Sequence, residues 1–98
     1  MTAEDIEDLQ QKIAELCHAA GQFGVPDERI LRALENTHYL PKGDEEQRRQ
    51  NRETLDRNLR YLKSKGWIEE VAKDLRPDIR RWQTTAAGDE FLMRSGLI

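Results

Sequence analysis

The stretch from Asn51 to Leu92, NRETLDRNLRYLKSKGWIEEVAKDLRPDIRRWQTTAAGDEFL, constrains the fold more than any other part of the chain. It reads as a basic helix, a glycine stop, a strand, a charged turn, a second strand and a closing helix. Leu55, Leu59 and Leu62 recur at helical spacing and draw one narrow apolar stripe. Gly66 ends that helix. Residues 67–72 and 79–84 alternate well enough for strands, and Pro77 with its flanking aspartates marks a hairpin turn between them. Thr85 is the cap of a last helix, with Asp89 and Glu90 in its first turn and Phe91 and Leu92 facing inward.

Two helices lead up to this unit, and its basic helix is the third. Ile6, Leu9, Ile13, Leu16, Cys17 and Ala20 form the stripe of a helix over about residues 3–20, and Gly21 is its natural stop. Residues 22–25 read as a short connection. Pro26 then fits the first turn of a second helix, beside Asp27 and Glu28, with Ile30, Leu31 and Leu34 on its apolar face. Pro41 and Gly43 make a loop of residues 39–43. Asp44 and Gln47 have the form of a capping box, Gln47 reaching back, which starts a third helix over about residues 45–65.

The 98 residues suit one domain, spanning 1–98. With 37% hydrophobic and 36% charged residues, the chain should bury a small core under a highly charged, soluble surface. No apolar run approaches the roughly 20 residues of a membrane span. The acidic start, Glu4 to Asp8, argues against a leader peptide, and one cysteine permits no internal disulfide. A cytoplasmic setting is the expectation. The net charge of −3 conceals a segregation. Residues 1–46 carry 4 basic and 11 acidic side chains, whereas residues 47–82 carry 11 basic and 6 acidic. A low overall pI counts against nucleic acid, but a phosphate backbone responds to the local patch.

The run Thr54-Leu55-x-x-x-Leu59-x-x-Leu62-x-x-x-Gly66-Trp67-Ile68 resembles the recognition helix and first wing strand of the winged helix-turn-helix superfamily of bacterial and phage regulators. Trp82 followed by Thr84-Thr85-x-x-Gly88 is similar to the second wing strand and final helix start, and Ile30-Leu31-x-x-Leu34 sits where the first helix of the turn motif would lie. More loosely, the chain is similar to small stand-alone winged-helix proteins of Mu-like phages and prophages. The resemblance implies an α+β winged helix, with three leading helices, a two-stranded β-hairpin wing and a C-terminal helix. It further implies sequence-specific binding of double-stranded DNA by a small transcriptional regulator acting as a homodimer. One departure is the long, polar connection between Leu34 and Asn51, where a compact motif has a tight turn.

On a third helix, the face opposite the leucines collects Arg49, Gln50, Glu53, Arg57, Arg60 and Tyr61. Arginine pairs bidentately with guanine and glutamine with adenine, Glu53 accepts only from cytosine, and Tyr61 offers a stacking ring. Arg52, Lys63 and Lys65 flank that face as phosphate contacts, and Lys73, Arg76, Arg80 and Arg81 decorate the wing. The bland alternative is a solvated helix face and an ordinary hairpin, in which Asp74 and Asp78 dilute the wing charge. Trp67 and Trp82 read as core or cross-strand partners. A protein-interaction winged helix, an adaptor or assembly module without DNA binding, is the second hypothesis. Catalysis has no visible constellation. His18 and His38 lack a ligand set, and no metal, cofactor or small-molecule site is evident.

Overall fold

The computed structural model describes residues 3–71, 79–96 and 98, with side chains from residue 8 onward. It is an α+β arrangement of four helices and a small antiparallel sheet. The helices are α1 (Ala3–Ala19), α2 (Asp27–Asn36), α3 (Glu45–Ser64) and α4 (Ala86–Arg94). The strands are β1 (Val25–Pro26), β2 (Ile68–Glu70) and β3 (Arg81–Thr84). No helix among the described residues is long and apolar enough to cross a membrane.

The sheet has three strands in the order β1-β3-β2, which corrects the expected two-stranded hairpin. The added strand comes from the segment read as a connection: Val25 pairs with Trp82 and Pro26 with Arg81. Two residues are too few for alternation to be visible in sequence, and proline in such a run argues against a strand. Here Pro26 sits at the sheet edge and also precedes α2 as its cap residue, so Asp27, not Pro26, opens that helix. Gly24 makes the approach possible. Its φ is +72°, and a β-carbon there would press on Val71 and Arg81.

β2 and β3 pair with Ile68 opposite Thr84 and Glu70 opposite Trp82. The turn that would join them lies outside the described residues. Trp82 is buried, whereas Trp67 stacks on Phe91 at 4.1 Å between ring centroids, so the two tryptophans are not cross-strand partners. Gly88 is required by this packing, because a β-carbon there would overlap the carbonyl oxygen of Trp67. Thr85 caps α4 by accepting from the Gly88 amide at 3.0 Å.

The core is one cluster from all layers: Leu9, Ile13 and Cys17 of α1, Ile30, Leu31 and Leu34 of α2, Leu55, Leu59 and Leu62 of α3, with Ile68 and Trp82. Burial pushes the Cys17 thiol up to about 12, with the Asp27 charge adding to the shift. His18, next in sequence, instead points to α4, where Asp89 Oδ1 lies 2.9 Å from its Nδ1. Thr84 donates to the same carboxylate oxygen at 2.7 Å. These hydrogen bonds, first from Thr84 and then with His18, hold the Asp89 carboxyl below its ordinary range. The hydroxyl addresses the carboxylate and not the imidazole, so the trio fastens α1 to the start of α4 without forming a nucleophile–base pair.

The polar connection before α3 is closed, not loose. Leu40 is buried, and the amides of Tyr39 and Leu40 both donate to the Leu34 carbonyl. Asp44 caps α3 by accepting from the Gln47 amide at 3.0 Å. The reciprocal half of the expected capping box is replaced: Gln47 Nε2 reaches forward to Asn51 Oδ1 at 3.0 Å. Asn51, 2% exposed, donates to Glu35 Oε2 at 3.0 Å and to the Pro41 carbonyl at 2.8 Å. A single amide therefore ties α3 to α2 and to the loop between them.

Candidate nucleic-acid interface

The leucine stripe of α3 faces the core, so its opposite face is turned to solvent. Arg49, Gln50, Arg52, Glu53, Arg57, Arg60, Tyr61 and Lys63 are all exposed. Along the helix they fall into two groups. Toward the N-terminal end the cations are knit to carboxylates. Arg49 Nη2 lies 2.7 Å from Glu46, and Arg52 Nη2 lies 3.5 Å from Glu28 on α2. Arg48, which the sequence did not single out, contacts the same Glu28 at 3.2 Å and the buried Glu35 at 3.8 Å.

Toward the C-terminal end the side chains project further. Arg60 is 77% exposed, although Asp56 one turn back holds it at 2.9 Å. Arg57 is exposed and has no ion pair among the described residues. Lys63 Nζ reaches Glu70 Oε1 at 3.7 Å, and Lys65 Nζ lies 5.5 Å from the centroid of the Tyr61 ring. The Tyr61 face is thus already occupied by a cation, which competes with base stacking.

The candidates outside α3 divide differently. Lys73 and Arg76 lie outside the described residues. Arg81 is half-buried in β3 and engaged by its neighbours. Arg80 has a defined internal task. Its Nε and Nη2 donate to Asp27 Oδ2, and Nη2 also donates to Asp56 Oδ1 at 3.0 Å. Asp27 Oδ1 in turn accepts from Trp82 Nε1, and the Arg80 guanidinium lies 5.4 Å from the Trp82 ring centroid. Burial opposes the Arg80 charge, but hydrogen bonds to Asp27 and Asp56 and the charges of both outweigh it and raise its pKa. Arg80 therefore joins the first turn of α2, the middle of α3 and the start of β3.

No protein-family model, curated protein or solved structure matches this chain. What the site can do rests on its own chemistry. The Arg49–Glu46 and Arg52–Glu28 pairs are exposed, and such pairs contribute only about 0–1 kcal/mol each. A phosphate can replace a carboxylate at Arg49 or Arg52 at small cost. Arg80 is less available, because freeing it strands two aspartates that face each other across it.

Sequence reasoning missed Asp27, Asp56 and Glu28 as the partners that decide which cations are free. Asp27 and Glu28 carried only a helix-start signal. Their pairing with residues 20 to 53 positions away is a product of the tertiary fold. A local signal existed for Asp56 alone, four residues before Arg60.

Proposed function

We propose that this chain is a winged-helix protein that binds double-stranded DNA, with the outward face of α3 set against the duplex. The supporting observation is the combination of architecture and exposure. Three helices precede β2 and β3, β1 between α1 and α2 completes the sheet, and the third helix turns Arg57 and Arg60 to solvent from a backbone fixed by three buried leucines. Arg57 and Arg60 lie three residues apart on one face, close enough to address adjacent base edges. Arg52 and Lys63 flank them as phosphate contacts. As a transcriptional regulator of bacterial or phage type, the protein would act as a homodimer, since one small module gives limited affinity.

A second reading, a protein-interaction winged helix, is favoured by one specific observation. Arg49, Arg52, Arg60, Lys63 and Arg80 all carry carboxylate partners within the same chain. That lowers the field available to attract DNA.

A salt titration of binding to mixed duplex DNA separates the two. The DNA reading expects affinity to fall steeply as salt rises, with a slope set by the phosphates neutralised. Absence of binding even at low salt would overturn it in favour of the protein partner.

A further inference from the structure

A groove that the α3 reading does not use lies between the end of α1, the tight turn at Gly21–Phe23 and α2. Leu16, Ala20, Val25 and Ala33 line its floor. Leu16 and Ala20 are only partly buried and extend the core outward. Phe23 stands at the rim, 75% exposed. Single exposed apolar side chains are ordinary. A phenylalanine ring in water beside a concave apolar floor is the pattern of a contact surface.

The groove is bordered by cations. Arg29 lines it, and Arg32 follows one turn later on the exposed side of α2. Neither has an ion pair among the described residues. Of the five arginines of α3, four hold carboxylates and Arg57 shares the unpaired state of Arg29 and Arg32. Arg29 and Arg32 have no ion-pair partner among the described residues and stand beside an apolar hollow.

We propose that the groove is a docking surface for an acidic amphipathic segment of another protein. An apolar side chain of that segment would fill the floor against Phe23, and its carboxylates would meet Arg29 and Arg32. This is the helix-in-groove mode, with an apolar anchor giving affinity and charge complementarity giving orientation. A second copy of this chain fits less well. A two-fold contact uses the same patch twice, which would bring the arginines of both copies together. A phosphate backbone would satisfy the arginines but leave Phe23 and the floor in water. The surface is independent of the α3 reading and survives its failure.

The test is a selection of random displayed peptides against the full chain. The enriched peptides should carry a large apolar residue with Asp or Glu at helical spacing. Their affinity should fall at least about tenfold for Phe23→Ser and again for the double variant Arg29→Glu with Arg32→Glu. Backbone amide shifts in the wild-type chain should concentrate at residues 16–33. The substituted side chains are exposed, so the variants should keep the wild-type thermal midpoint. No enrichment, or peptides indifferent to both variants, overturns the proposal. Two further outcomes also overturn it. One is self-association in sedimentation that Phe23→Ser abolishes, which gives the groove to a second copy. The other is duplex DNA shifting residues 29 and 32 with Phe23→Ser without effect, which gives the arginines to phosphate.

Discussion

The two ends of α3 are built from similar residues and do different work. In its first half, Arg48, Arg49, Arg52 and Asp56 are spent on contacts within the chain, and Asn51 anchors the backbone to α2 and the preceding loop. In its second half, Arg57 and Arg60 extend into solvent while Leu59 and Leu62 hold the opposite side in the core. A basic helix is therefore not one surface. Arg48 and Arg52 fasten α3 to α2, whereas Arg57, beyond the Asp56–Arg80 contact, has no ion pair among the described residues. Composition cannot separate these roles, because arginine is chosen for both.

Leu59→Ala should erase the comparison. Leu59 is fully buried in the second half of the helix. Its truncation should cost about 2–5 kcal/mol, a large share of the stability of a small domain. Denaturant unfolding measures this directly. A loss below about 1 kcal/mol would mean that α3 is held by something other than its leucine stripe.

Asn51→Ala should damage the first half selectively. It removes the donor to buried Glu35 and to the Pro41 carbonyl, and leaving such groups unsatisfied costs about 1–3 kcal/mol. Hydrogen exchange should quicken in residues 37–47 before it changes in 57–64. Uniform loss of protection along α3 would show that the helix behaves as one unit.

Arg57→Ala tests the second half. Stability should change by no more than about 0.5 kcal/mol, because the side chain is exposed and unpaired among the described residues. Specific DNA binding should weaken by about 1–3 kcal/mol through a lost base contact. Lys63→Ala should instead reduce affinity for all sequences and flatten the salt slope by about one unit. If both variants bind as the wild type does, α3 is not the DNA-facing element.

The sequence made the long elements legible for a physical reason. Leu55, Leu59 and Leu62, or Ile30, Leu31 and Leu34, repeat often enough for a period to emerge, and Asp44, Gly66 and Thr85 punctuate the ends. The strand at Val25 was not legible, because two residues have no period and its partner lies 57 positions later. The candidate site was legible as a set of exposed positions on α3. Its charge balance was not. Glu28 with Arg48 and Asp27 with Arg80 meet only after the helices pack, and no local pattern announces either meeting. Arg29 and Arg32 drew no attention for the converse reason, since the lack of an ion pair among the described residues also shows only after packing.

The smallest expected effect sharpens the boundary between the two halves. Glu46→Gln removes the carboxylate that holds Arg49 and changes little else, since both side chains are more than half exposed. The stability cost should stay below about 1 kcal/mol, the sum of a surface pair and a lost charge at a helix N-terminus. If the first half of α3 borders the duplex, the released Arg49 becomes available to a phosphate and a repelling charge is gone. DNA affinity should then rise by up to about fivefold, the equivalent of one exposed ion pair, with a steeper salt slope. If the interface is confined to residues beyond Asp56, the same variant should bind DNA as the wild type does while Arg57→Ala still weakens it. Fluorescence anisotropy on one duplex at several salt concentrations distinguishes these results. A gain would make Glu46 a built-in competitor of phosphate, and an unchanged affinity would fix the edge of the interface between Arg49 and Arg57.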